Sequence, residues 1–189
     1  LKEIFNTIPK PENAAERIYY TVPDNKEPII AIAKDKEATG SQVTVYYKHK
    51  PMTKELKATI AGIAGIYLKS VTSMMLNDRL KEISEKPNAP FMSAYSYDAN
   101  FIVSKTMDAF TTMAVSKEGE TQKALKALLQ ETERVNRFGF TESEYERAKA
   151  NLLSMIESMY KEREKQKNNS YVEEYVSHFT DGGSICGIE

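Results

Sequence analysis

A run of apolar residues at helical spacing lies in the middle of the chain, between segments that are rich in β-branched and aromatic residues. The apolar positions of this run are Leu56, Ile60, Ile63, Tyr67, Val71 and Met74. Their spacing of three and four residues predicts one long helix with a buried face. Thr53 is its predicted N-cap, and residues 87–90, which contain two prolines, are its predicted stop. Gly62 and Gly65 are unfavourable in a helix interior. The predicted reason for their presence is close packing of this helix on a sheet.

Strand signals surround this helix. The segments with β-branched, aromatic or alternating composition are 17–22, 29–33 and 42–48 before the helix, and 91–98 and 109–116 after it. In the third segment Val43, Val45 and Tyr47 alternate with polar or aromatic residues, which predicts one buried face. The last two segments are close enough in sequence to form a hairpin.

The C-terminal part of the chain is predicted to be helical. One predicted helix carries Leu125, Leu128 and Val135 on one face, and residues 138–140 interrupt it. Thr141 and Glu144 have the spacing of a capping box that begins the next helix. The charged run 161–167 is interpreted as a solvated surface, and a last helix is predicted over 170–179. Strands grouped beside helices predict an α+β fold, with a mixed, mostly antiparallel sheet covered on one face by helices.

Charge and composition exclude several classes of protein. The 189 residues include 26 Lys and Arg against 27 Asp and Glu, for a net charge of −1. This balance disfavours a dedicated nucleic-acid binder, although an unrelated α+β binding domain stays an open alternative. No apolar run reaches the roughly 18 residues of a membrane helix, so no membrane insertion is expected. The single cysteine, Cys186, cannot form an internal disulfide.

No self-contained catalytic site is predicted from the residues. His49 and His178 are the only histidines, and neither has a second histidine or a glutamate at the spacing of a helical zinc motif. Nothing in the sequence orients a base onto Cys186. Tyr95 and Tyr97 share one face of a predicted strand, as packing residues or as an exposed aromatic platform for substrate. We therefore predict no catalytic residue and no metal ligand in this chain.

Four stretches, taken together and in order, resemble a known family. They are residues 74–83, 86–91, 133–149 and 174–189. They are similar to the insulinase/pitrilysin family of zinc metallopeptidases, specifically to the non-catalytic second domain of its bacterial members. The resemblance covers residues 28–189. It implies a metallohydrolase-like domain of the insulinase and mitochondrial processing peptidase type.

The resemblance also implies the place of this chain in a larger protein. Family members contain homologous α+β domains in two halves around a chamber, and the first domain carries the zinc motif H-x-x-E-H. That motif is absent here, so zinc is expected in the catalytic domain of the parent protein and no cofactor in this chain. Residues 1–22 would be the connection from that domain, and residues 23–189 the inactive domain. The expected partners are the catalytic domain of the same polypeptide and a peptide substrate, and the expected compartment is the periplasm.

Two residues are matched to a family motif. In the C-terminal half of such peptidases, an arginine at a helix end and a tyrosine on the next strand bind substrate and stabilise the tetrahedral intermediate. Arg79 matches the arginine, and Phe91 stands at the aromatic position. Because phenylalanine has no hydroxyl donor, no catalytic pair is expected. Arg79 is expected to make a structural ion pair or a helix-dipole contact, or to contact substrate or another domain together with Phe91.

The sequence therefore supports two main hypotheses. In the first, the chain is an accessory domain of a zinc metalloendopeptidase, packs on the catalytic domain and helps to form the peptide-binding chamber. In the second, the same fold serves as a non-catalytic scaffold or peptide-binding subunit. The chain begins with Leu1, and we expect it to be a piece of a longer polypeptide. An intact H-x-x-E-H motif upstream would favour the first hypothesis.

Overall fold

Helices and a small antiparallel sheet make up the fold. The computed structural model describes residues 2–9, 12–16, 18–57 and 59–182. The elements are α1 (Lys2–Phe5), β1 (Ser41–His49), α2 (Lys54–Lys57), α3 (Ile60–Ser84), β2 (Ser93–Asn100), β3 (Asp108–Ser116), α4 (Thr121–Phe138), α5 (Glu142–Lys161), a 3-10 turn (Arg163–Lys165) and α6 (Asn168–Asp181). Strands β1 and β2 both pair antiparallel with β3, in the order β1-β3-β2. The predicted α+β class and the predicted hairpin of the last two strands are confirmed.

The main core lies between one face of the sheet and helices α3 and α4. Its buried members include Leu76 and Leu80 from α3, Ala114 from β3 and Leu128 from α4, with Phe91 between them. Leu76, Leu80, Leu128 and Phe91 are at most 2% exposed. A second cluster joins α3 to α5 through Val71, Met75, Ala148 and Leu152. The helices that contact the sheet thus pack on one of its faces, as predicted.

Two predicted strands before β1 do not form. Residues 18–22 and 29–33 are in no strand, and Ile29, Ile30 and Ile32 are 78–82% exposed. A strand requires a neighbour for its backbone groups, and β1 pairs only with β3 among the described residues. Composition alone could not supply that neighbour, so the strand predictions for these two segments were wrong. The boundary between a connection at 1–22 and a domain at 23–189 stays a prediction.

The long central helix begins later than predicted. Thr59 is its N-cap, and its hydroxyl accepts a hydrogen bond from the Gly62 amide at 3.1 Å. The earlier residues form the separate short helix α2, which folds back on the first turn of α3. A Cβ at Gly62 would lie 2.1 Å from the Leu56 carbonyl oxygen, and one at Gly65 would lie 2.9 Å from the methyl carbon of Met52. These glycines therefore permit close approach of the preceding chain, and the predicted reason, packing on a sheet, was wrong.

The helices after the sheet begin and end much as predicted. Thr141 and Glu144 form the predicted capping box at the start of α5: the Thr141 amide donates to the Glu144 carboxylate at 2.7 Å, and the Glu144 amide donates to the Thr141 hydroxyl at 3.3 Å. Most residues of the charged run 161–167 are exposed. Within the described ranges, no helix has the length and apolar composition needed to cross a bilayer.

Candidate functional site

Arg79 lies where helices α3, α4 and α5 meet. Its side chain is only 12% exposed and makes two hydrogen bonds to the Glu144 carboxylate, through Nε and Nη2. Nη1 lies 3.2 Å from the Glu131 carboxylate, whose side chain is 7% exposed. Nη2 also donates to the Gly139 carbonyl oxygen at 3.1 Å. One guanidinium group thereby connects the end of α3 to α4, to the break after α4 and to the first turn of α5.

The electrostatics of this cluster favour the ionised forms. The hydrogen bond from Arg79 is the main cause that lowers the pKa of Glu144 from 4.5 to about 2, and the Thr141 backbone and hydroxyl act in the same direction. The hydrogen bond to Glu144 in turn raises the pKa of Arg79. The guanidinium also lies 4.7 Å from the centre of the Phe140 ring, at cation–π distance. Arg79 thus makes the structural ion pair that was one of its two predicted roles.

Phe91 lies inside the core. Its side chain is 0% exposed and packs in the cluster that contains Leu76, Leu80 and Leu128. The ring has no hydrogen-bond donor, so it cannot act as the oxyanion-stabilising tyrosine of the matched motif. In this conformation Phe91 offers no surface to a ligand. A contact of Arg79 or Phe91 with substrate or with another domain stays a prediction.

A second polar cluster lies at one end of the sheet. The final residue of β1, His49, pairs in register with the first residue of β3, Asp108. The His49 Nε2 lies 3.0 Å from the carboxylate of Asp98, which is on β2. Lys69 of α3 lies 2.6 Å from the other oxygen of Asp98 and 3.6 Å from Asp108. Each of these four side chains is at most 35% exposed, so the cluster is partly shielded from solvent.

A cavity opens beside this cluster. Its volume is about 960 Å³, and its walls come from the first half of α3, the ends of β2 and β3, helix α2 and the end of α6. Asp98, Asp108 and Lys69 line it, together with the apolar side chains of Ile63 and Ile66. Lys57 and Lys105 both donate to Asp181, through its carbonyl and its carboxylate respectively, and join the end of α6 to the rest of the wall. The cavity therefore has charged and apolar walls side by side.

The sequence analysis did not find the cluster of His49, Asp98 and Asp108. These three residues come from three different strands and do not have the helical spacing of a zinc motif. The available signal was a polar residue at or beside one end of each of three predicted strands: His49 after 42–48, Asp98 at the end of 91–98 and Asp108 before 109–116. Strand register, which was not predicted, is what brings the residues together.

The two tyrosines of β2 lie on the sheet face opposite α3 and α4. Ser96 between them is 3% exposed and accepts and donates hydrogen bonds with Asn77 of α3, so Tyr95 and Tyr97 point to the other side. Their rings stack with centres 6.0 Å apart and are 43% and 37% exposed. The pair is therefore exposed on the sheet and is not core packing. Its use as a platform for substrate stays a prediction. Cys186 lies outside the described residues.

Comparison with known proteins agrees with the fold. The family model described as "Peptidase M16 inactive domain" matches residues 1–152. The chain is 29% identical over 170 residues to an Arabidopsis thaliana protein described as "Zinc protease PQQL-like", covering 90% of this chain and 14% of that protein. It is similar to the solved structures of the periplasmic protease PqqL from Escherichia coli and of the first half of PqqL. Each has a TM-score of 0.68 and 14% sequence identity, and each match covers 82% of this chain. The match covers 17% of the PqqL chain and 32% of the chain of its first half.

Proposed function

The chain belongs to the family of the peptidase M16 inactive domain, and from this premise we propose that it is an accessory domain of a zinc metalloendopeptidase. It packs on the catalytic domain of the same polypeptide and helps to form the chamber that holds a peptide substrate. In that protein, a zinc ion held by the catalytic domain would polarise a water for attack on a peptide carbonyl. The present chain contributes shape and contacts.

One observation carries the proposal: the match to an inactive peptidase domain extends over most of a chain that has no H-x-x-E-H motif. The description of the plant relative as a zinc protease supports the activity proposed for the whole protein. This chain corresponds to 14% of that relative's length. The catalytic groups therefore belong to the part of the protein outside this segment.

The surface of the domain supports a packing role. Four large apolar side chains at helical spacing on α6 are 54–83% exposed: Val172, Tyr175, Val176 and Phe179. Extended apolar exposure is uncommon on monomeric proteins and is typical of interaction surfaces. In the part of the chain that the structure describes, the helices of the main core lie on the sheet face opposite Tyr95 and Tyr97, and the tyrosine face is proposed to contact a neighbouring domain or a peptide.

Export to the bacterial periplasm is part of the proposal. Its support is the periplasmic location of PqqL, whose fold this chain shares. Fractionation of cells that produce the parent protein tests it. Peptidase signal in the periplasmic fraction is expected, and signal confined to the cytoplasm would contradict export.

The function is tested with the intact parent protein and this chain side by side. We expect the parent to hydrolyse unfolded peptides, and to lose this activity when the glutamate of its H-x-x-E-H motif is replaced by glutamine. We expect the present chain alone to hydrolyse none, with or without added zinc. A parent without that motif and without activity would favour the scaffold hypothesis, whereas hydrolysis by this chain alone would refute the accessory role.

A further inference from the structure

We propose that His49, Asp98 and Asp108 form a binding site for a divalent first-row transition-metal ion at the ends of the three strands. The site is separate from the zinc motif of the proposed catalytic domain and does not depend on the proposed function. Its role is to hold the strand ends together beside the cavity.

The geometry supplies three ligands of suitable chemistry. One atom from each of His49, Asp98 and Asp108 lies within 4.8 Å of the other two. The pairing of His49 with Asp108 fixes two of them across adjacent strands, and Asp98 reaches the same place from the other side of β3. One imidazole nitrogen and two carboxylate oxygens suit ions such as Co²⁺, Zn²⁺ and Mn²⁺. The adjacent cavity leaves room for water at further coordination positions, as in open metal sites.

The orientation of the His49 ring is the second argument. Its Nδ1 lies 3.0 Å from the Lys50 carbonyl oxygen, which can only accept a hydrogen bond, so Nδ1 carries the hydrogen. In a neutral ring Nε2 then has the lone pair, and it points at the Asp98 carboxylate oxygen 3.0 Å away. A metal ion bound between these two atoms would take the Nε2 nitrogen and a carboxylate oxygen as ligands. A backbone carbonyl on the other ring nitrogen is the usual outer contact of a metal-binding histidine.

Lys69 is the cation that the two carboxylates hold in this structure. Its ammonium lies 2.6 Å from Asp98 and 3.6 Å from Asp108, so it competes with a metal ion for the same oxygens. The lysine side chain is 34% exposed and borders the cavity, where its flexible stem lets the ammonium move into solvent. Removing the Lys69 charge should therefore strengthen ion binding, whereas removing a ligand should weaken it.

The test is a Co²⁺ titration of the untagged chain followed by visible absorption and calorimetry. Cys186→Ser serves as the background, so that a thiolate cannot contribute. We expect one bound Co²⁺, displaced by Zn²⁺. His49→Ala and Asp108→Asn should each weaken binding at least about tenfold, and Lys69→Met should tighten it. His178→Ala removes the other histidine and is the matched control, with no expected effect.

Three results would overturn the proposal. The first is that the chain does not bind Co²⁺ at millimolar concentration. The second is that His49→Ala and Asp108→Asn bind Co²⁺ as tightly as the unsubstituted chain. The third is that His178→Ala weakens Co²⁺ binding as much as the two ligand variants do. Circular dichroism checks the folding of each variant. If both ligand variants unfold, Mn²⁺ added to the wild-type chain decides by NMR: selective broadening of the His49 ring signals supports the site, and uniform or absent broadening refutes it. Peptidase activity of the parent is measured separately, so a failure of the metal site leaves the proposed function intact.

Discussion

Replacing Glu144 with glutamine should destabilise the domain at neutral pH, and most of the effect should disappear in acid. Glu144 is 15% exposed and is held by Arg79, which lowers its pKa from 4.5 to about 2. A carboxyl whose pKa is lower in the folded state contributes stability above its unfolded pKa. This contribution is lost as the pH falls through the folded pKa. A shift of this size corresponds to about 3 kcal/mol at pH 7 and to about 1.4 kcal/mol at pH 3.

The assay is urea unfolding of wild type and Glu144→Gln at pH 7 and at pH 3, followed by circular dichroism. Glutamine keeps the size of the side chain and an oxygen that can accept from the Thr141 amide, so the variant mainly removes the charge next to Arg79. Glu133→Gln is the matched control, because Glu133 pairs with Arg137 at an exposed position where both side chains are about half exposed or more. This control should leave the unfolding midpoint nearly unchanged.

Two results would refute this reasoning. The first is equal stability of wild type and Glu144→Gln at pH 7. The second is a difference between them that is the same at pH 7 and pH 3, which would mean that the charge of Glu144 is not the cause. A large effect of Glu133→Gln on the unfolding midpoint would show that the contribution of an ion pair to stability does not depend on its burial in this chain.

Two further predictions concern the core and the helix start. Phe91→Tyr should destabilise the domain by about 1–3 kcal/mol in thermal unfolding, because the new hydroxyl enters the core without a hydrogen-bond partner. Unchanged stability of this variant would contradict the burial of Phe91 and would favour a position open to substrate. Gly62→Ala should lower the melting temperature, since its Cβ would meet the Leu56 carbonyl at 2.1 Å. Gly65→Ala, which meets only the flexible end of Met52, should be tolerated. Equal effects of the two alanine variants would contradict this account of α2.

The parts of the fold that were predictable from sequence have local causes. The capping box at Thr141 and Glu144 and the apolar face around Leu128 depend on residues three and four positions apart, so a single sequence shows them. The predicted strand at 29–33 failed because a strand depends on a partner that its own residues do not specify. The short helix before Thr59 was missed for a similar reason, since the chain reversal there depends on a contact between Gly62 and Leu56.

The candidate sites follow the same rule. The sequence pointed to Arg79 as an ion-pairing residue, but not to Glu144 as its partner, which lies 65 positions away. His49, Asp98 and Asp108 meet only through strand register and were not predicted. Phe91 was matched to a substrate-binding position by its place in the sequence, and the packing of α3 and α4 on the sheet is what buries it.

Hydrolysis of an unfolded peptide by the separately produced catalytic domain, measured with and without this chain, tests the central claim most directly. The account predicts that this chain alone is inactive, that the catalytic domain alone is slow, and that mixing them restores hydrolysis and gives a complex in sedimentation velocity. A catalytic domain that is fully active alone and does not bind this chain would contradict the proposed role as a packing and chamber-forming domain.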